Sequence, residues 1–185
     1  MEITMETIAQ ALSFVGLAFI VASYQQKKKS TLILCQLFGC GIFSIHFFMM
    51  GAYTGALLNA IGMIRSLAFY KENRSRKAGT IWTVVLITMY VCSYILTFTV
   101  FGTPATAPNL ILEALPTVGM SVLTISFNMT GAAIIRALGT SHSASWLIYN
   151  IAHHSIGGTL TEAMAMASII IGILRYDIKK KEKAK

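Results

Sequence analysis

Seven long apolar runs divide the chain, at 7–24, 31–50, 54–70, 80–101, 109–128, 132–152 and 157–174. Each approaches the roughly 20 residues that cross about 30 Å of hydrocarbon at about 1.5 Å per residue. Inside a bilayer every backbone N–H and C=O must be satisfied within the segment, so runs of this length fold as helices. Runs two and three are separated only by Gly51, yet their summed length is too great for one helix. Runs five and six are separated by Asn128, Thr130 and Gly131, polar and flexible residues that read as a turn. Composition closes the soluble alternative. The 185 residues are 55% hydrophobic and 12% charged, against roughly 25% charged in soluble domains. The expectation is an all-α membrane protein of seven transmembrane helices, with residues 1–185 as a single transmembrane domain.

The 15 Lys and Arg residues against 7 acids give a net charge of +8, but their distribution speaks of topology, not of nucleic acid. Lys27, Lys28 and Lys29 follow the first run. Lys71, Arg74, Arg76 and Lys77 follow the third, with Arg65 just inside its end. Arg136 lies near the start of the sixth, and Arg175, Lys179, Lys180, Lys181, Lys183 and Lys185 follow the seventh. The loops on the opposite side, around 51–53, 102–108 and 153–156, hold no Lys or Arg. Seven helices with the N-terminus outside place every basic residue at the cytoplasmic side, as the positive-inside rule requires. Residues 175–185 then form a basic cytoplasmic tail, and Arg65 and Arg136 are expected to snorkel to that interface, with binding of a substrate anion as the alternative. Glu2 and Glu6, with no basic n-region, argue against a cleaved signal peptide. Cys35, Cys40 and Cys92 have neither metal-ligand spacing nor a disulfide framework and read as small hydrophobes. The lipid bilayer is the first partner implied, nucleic acid is not one, and a homo-oligomer is left open.

The chain also aligns to itself without a gap at an offset of 103 residues, so that 11–65 falls on 114–168. Ala11, Leu12, Val15 and Gly16 meet Ala114, Leu115, Val118 and Gly119. Ser23-Tyr24 meets Ser126-Phe127, Phe43 meets Trp146, and Ile45-His46 meets Ile148-Tyr149. Gly55, Leu57, Ala60 and Met63 meet Gly158, Leu160, Ala163 and Met166. Ten of the 55 positions are identical, more than chance gives in so apolar a composition, and the offset respects the run boundaries. Residues 7–70 and 109–174 would be two three-helix repeats. A three-helix unit ends on the side opposite its start, so both copies face the same way only if one extra helix, 80–101, lies between them.

The plan of three, one and three helices resembles the SWEET sugar transporters and the PnuC vitamin transporters. More closely, the run GLAFIVASYQQKKKSTL, followed by IHFFMMGAYTGALLNAIGMIRS, resembles the YgjV-type bacterial inner membrane proteins over nearly the whole chain. The resemblance implies a multi-pass protein of the bacterial inner membrane. The SWEET likeness implies a solute path between the repeats, lined by a Trp and an Asn from each. Phe43 and Asn59 stand at those positions in the first repeat, and Trp146 and Glu162 in the second. Only Asn59 keeps the amide and only Trp146 the indole. The Pro-Gln pair of the wider superfamily is replaced by Tyr24-Gln25 and Phe127-Asn128.

Three polar features fit a solute site on chemical grounds. Glu162 lies about five residues into the seventh run, roughly 8 Å below its end, where a carboxylate is costly unless it is paired or faces a wet cavity. Asn59 holds the equivalent position in the third run; its amide can bind solute or simply join two helices. Thr140, Ser141, His142, Ser143 and Ser145 crowd the sixth run and occupy more than one side of a helix, so part of this stretch, His142 included, is expected to line a wet cavity. His153 and His154 point about 100° apart on a helix and make a poor metal pair. No HExxH, GxSxG or Asp pair appears, so neither an enzyme nor a cofactor is expected. The sequence thus points to a small polar solute transporter or facilitator, with Phe43, Asn59, His142, Trp146 and Glu162 at the substrate site. The alternative is a non-transporting interaction or regulatory protein that keeps a transporter-like fold.

Overall fold

The computed structural model describes residues 5–50, 53–70, 75–152 and 156–178. Among them are seven α-helices: α1 (Met5–Tyr24), α2 (Lys29–Met49), α3 (Tyr53–Phe69), α4 (Arg76–Thr99), α5 (Ala107–Asn128), α6 (Ala132–Ala152) and α7 (Ile156–Gly172). A π-helical turn, Ile173–Ile178, continues α7. Each helix falls within four residues of its apolar run. The Gly51 turn, the His153-His154 pair and the lysines from Lys179 onward lie outside the described residues.

Local chemistry explains the helix ends. Ser75 caps α4, its hydroxyl accepting a hydrogen bond from the Ala78 amide at 3.3 Å. A proline in the first turn starts α5, where its fixed φ is already helical and its missing N–H costs nothing. The turn between α5 and α6 is made by Gly131 at φ +94°, a conformation that a Cβ would oppose. Across the bundle, Lys29 Nζ donates to the Phe127 and Met129 carbonyls, 2.5 and 2.8 Å away. A cation thus satisfies the exposed carbonyls at the C-terminal end of α5.

Five helical segments are long and apolar enough to cross a membrane: Thr7–Tyr24, Lys29–Met49, Arg76–Thr99, Ala107–Asn128 and Gly157–Ile178. Two helices fall short by that measure, for different reasons. α3 has only 17 residues, and α6 carries the polar stretch from Thr140 to Ser145.

The helices close into a ring. α1 packs on α2 and α7, α2 on α3, α3 on α4 and α5, and α5 on α6, which packs in turn on α7. At one end Gly157 approaches Gln10 and Ser13, and at the other Gly172 lies against Tyr24, so α1 and α7 run in the same direction. A Cβ at Gly172 would stand 2.6 Å from the Tyr24 carbonyl oxygen and 2.9 Å from Arg136 Cδ; only glycine permits this approach.

Polarity is inverted relative to a water-soluble domain. Phe14, Phe48, Leu67, Val100 and Ile111 lie on the outside, each more than half exposed. Gln36, Arg65, Thr124, Arg136, Ser143, Asn150 and Thr161 are buried. An apolar exterior of this extent would aggregate in water and suits contact with lipid.

Candidate functional site

Of the buried polar residues, Gln36, Arg65, Ser143, Asn150 and Thr161 line one central cavity, walled by α1, α2, α3, α5, α6 and α7. Its space for water-sized spheres is about 50 Å³, several times the ~10–15 Å³ that one water requires. Phe43 reaches it from α2, Asn59 from α3, His142 and Trp146 from α6, and Glu162 from α7. All five residues read from the sequence as a site therefore meet in one space. The helical pitch makes this happen: Trp146 follows His142 and Ser143, and Asn150 follows Trp146, at three to four residues each, on one face of α6. Ser141, on another face, is exposed.

An aromatic wall bounds the cavity on the α2 and α6 sides. Phe47 and Trp146 stack with ring centroids 6.2 Å apart, Phe43 lies 6.0 Å from Phe47, and His142 lies 6.3 Å from Trp146. Such walls offer flat apolar contact at little conformational cost. Asn59 donates through Nδ2 to the Gly55 carbonyl, 2.9 Å away in its own helix. His46, one turn beyond Phe43, does not join the cavity; its Nδ1 is 2.7 Å from the Ala9 carbonyl. Among the described residues, no three His, Cys, Asp or Glu side chains converge as a metal site would need.

The lining also has Gln36 and Asn150, which the sequence reading did not single out, and Arg65, for which it favoured the interface; all three are nearly inaccessible to solvent. Arg65 corrects an expectation. Its side chain does not snorkel; it is 1% exposed and turns inward, because it lies on the buried stripe of α3 with Leu58, Ile61, Gly62 and Phe69. Its Nη2 is 3.4 Å from Gln36 Oε1, its Nη1 is 3.6 Å from Met120 Sδ, and its guanidinium sits 4.6 Å over the Phe127 ring. None of these neighbours carries negative charge. The ion pair among the described residues is elsewhere, between Arg136 and Asp177, and Glu162 lines the cavity beyond ion-pair range of Arg65. Arg136 does not snorkel either. It is buried on α6 and is held by a bidentate bond to Asp177, at 3.0 and 2.6 Å, and by the Gln26 carbonyl at 2.9 Å.

Five polar atoms on the cavity wall have no hydrogen-bond partner within the described protein: the donors Gln36 Nε2, Arg65 Nε and Trp146 Nε1, and His142 Nδ1 and Ser143 Oγ, which can donate or accept. Buried polar groups without partners are rare and costly.

The lining has a further regularity. Ile20 and Leu123, Cys40 and Ser143, Phe43 and Trp146, Phe47 and Asn150, and Asn59 and Glu162 all line the cavity, and the members of each pair are 103 residues apart.

A family model described as a bacterial inner membrane protein, Imp-YgjV, matches residues 7–180. The chain belongs to that family. No curated protein and no solved structure matches it. The Imp-YgjV match spans all seven helices, the whole cavity wall and the π-helical turn, so the membrane setting applies to the complete bundle. It also accounts for the apolar exterior of this Imp-YgjV protein, whose helices face lipid.

Proposed function

We propose that this protein transports or facilitates the passage of a small polar solute across the bacterial inner membrane, with the central cavity as the solute site. The pairing of cavity positions at a 103-residue offset carries the reading. It supports two parallel three-helix repeats, α1–α3 and α5–α7, contributing matched walls to one site, with α4 as the linker between them. The packing follows the same correspondence. α1 on α2 answers α5 on α6, α2 on α3 answers α6 on α7, and α1 on α7 answers α5 on α3. In this reading all seven helices span the bilayer. The short α3 and the polar α6 tolerate their departures because their polar faces line the cavity instead of lipid. The distribution of basic residues supports a cytoplasmic C-terminus and a periplasmic N-terminus.

Phe43 and Trp146 supply flat surface for the solute, and Asn59, His142 and Glu162 supply hydrogen bonds. These groups bind and release; they are not arranged as nucleophile and base, and the protein is not an enzyme in this reading. A solute that binds the folded protein raises its apparent stability. The purified protein should therefore show a rise in Tm with at least one member of a panel of sugars, nucleosides, vitamins and organic acids, and the rise should vanish in Trp146→Ala. Uptake of that solute into proteoliposomes should be abolished in Glu162→Leu and strongly reduced in Asn59→Leu. Wild-type uptake in both variants would overturn the site assignment. Binding without uptake in the wild type would favour a non-transporting protein that keeps the fold. An active periplasmic phosphatase fused after Lys185 would overturn the seven-span topology.

A further inference from the structure

We infer that the solute carries an oxyanion, a carboxylate or phosphate group, and that Arg65 and Gln36 hold it. This deepens the transport reading and rests on the cavity being the solute site. The argument starts from charge. Arg65 is the one arginine among the described residues that is both buried and on the cavity wall, and it has no carboxylate within ion-pair range. Its neighbours share its position without neutralising it. Met120 sulfur and the Phe127 ring face are soft contacts, and Gln36 Oε1 accepts only a long hydrogen bond. A guanidinium stays protonated in any protein, so the charge persists and asks for an anion.

Hydrogen-bond direction gives the same answer independently. The Gln36 carboxamide turns its oxygen to Arg65 and leaves Nε2 as an unpartnered donor, while Arg65 keeps Nε as a second. Trp146 Nε1 adds a third on the aromatic wall. Of the five unpartnered groups on the wall, these three can only donate, and the other two, His142 Nδ1 and Ser143 Oγ, can donate as well as accept. A neutral polyol brings a proton with every hydroxyl oxygen, and the three donor-only groups leave those protons unmet. An oxyanion offers acceptors alone, in the planar or tetrahedral layout that a guanidinium fork and an amide meet well. The aromatic wall then faces the remainder of the molecule, which makes a small organic acid or phosphate ester the fitting class.

The test uses the purified full-length chain and four probes at equal ionic strength: acetate, inorganic phosphate, acetamide and chloride. Thermal unfolding is followed for wild type, Arg65→Gln, Arg65→Lys and Gln36→Leu. The expected result is that acetate or phosphate raises the wild-type Tm by several degrees over chloride, while acetamide does not. That shift disappears in Arg65→Gln, shrinks in Gln36→Leu, and survives in part in Arg65→Lys, which keeps the charge and loses the fork. If Arg65→Gln fails to fold, Arg65→Lys and Gln36→Leu decide. An unchanged oxyanion shift in both of them overturns the inference, as does an equal shift with acetamide. A shift with acetamide alone, lost in Trp146→Ala, overturns the oxyanion while leaving the solute cavity standing. No shift with any probe overturns the oxyanion site, and the solute cavity is then judged by the wider panel.

Discussion

The molecule buries two arginines and treats them in opposite ways. Arg136 sits where α6 meets the π-helical turn, and its guanidinium is used up: Nε and Nη2 bond both oxygens of Asp177, and Nη1 bonds the Gln26 carbonyl. The Tyr176 ring lies 5.7 Å from it. Arg65 sits in the cavity wall with a long bond to one amide, a sulfur and a ring face. Both are arginines near the basic end of an apolar helix, and sequence position alone gives them the same role. Their surroundings separate a clamp that joins elements from a charge held available. A clamp should matter for stability, whereas an available charge should matter for binding and contribute little to stability, or even oppose it.

The largest expected effect comes from breaking the clamp on one side. Asp177→Leu leaves Arg136 buried and unpaired, which should cost about 3 kcal/mol and lower the Tm measured by intrinsic fluorescence. A Tm within a degree of wild type would mean that Arg136 finds water easily and is no clamp. An intermediate effect is expected at Gly172→Ala. There the new methyl meets a backbone carbonyl and the stem of Arg136, so α7 must move, at about 1–3 kcal/mol. Crosslinking between cysteines placed on α1 and α7 would report that displacement as a loss of yield. The smallest effect belongs to Arg65→Met. Replacing a buried charge that lacks an ionic partner by an apolar chain of similar length should change stability by less than about 1 kcal/mol, or increase it. A loss as large as that in Asp177→Leu would make the two arginines alike, both structural, and would remove the contrast.

The positions of the helices were legible because lipid enforces a simple rule, and the apolar runs give all seven within four residues. The cavity was legible in part. Phe43, Asn59, Trp146 and Glu162 stand at the positions that the SWEET likeness implies, paired by the 103-residue offset, and His142 comes from a polar stretch that lipid would not tolerate on every side. Gln36 and Asn150 were missed because a lone amide in an apolar run carries no direction of its own, and Arg65 was misplaced for a different reason. A basic residue one turn from a helix end reads identically whether its side chain reaches outward to the headgroups or inward to a cavity, and only the direction of the buried stripe decides. That stripe leaves a trace. Gly55, Leu58, Gly62, Arg65 and Phe69 recur every three or four residues along α3, as Leu32, Gln36, Cys40, Phe43 and Phe47 do along α2. Following those stripes before counting charges would have turned Arg65 and Gln36 inward. The Arg136 clamp was hidden more deeply, since Asp177 reaches it through a π-helical turn that no apolar period announces.

That turn decides which way the end of α7 faces. Helical residues follow one another at about 100° around the axis, and a π-helical turn differs from an α-helical one by one added residue. Relaxing the segment to an ordinary α-helix at the same chain length would swing Asp177 about a quarter-turn away from Arg136, whereas removing one residue as well would leave it facing Arg136. Here the winding itself holds the charge in place.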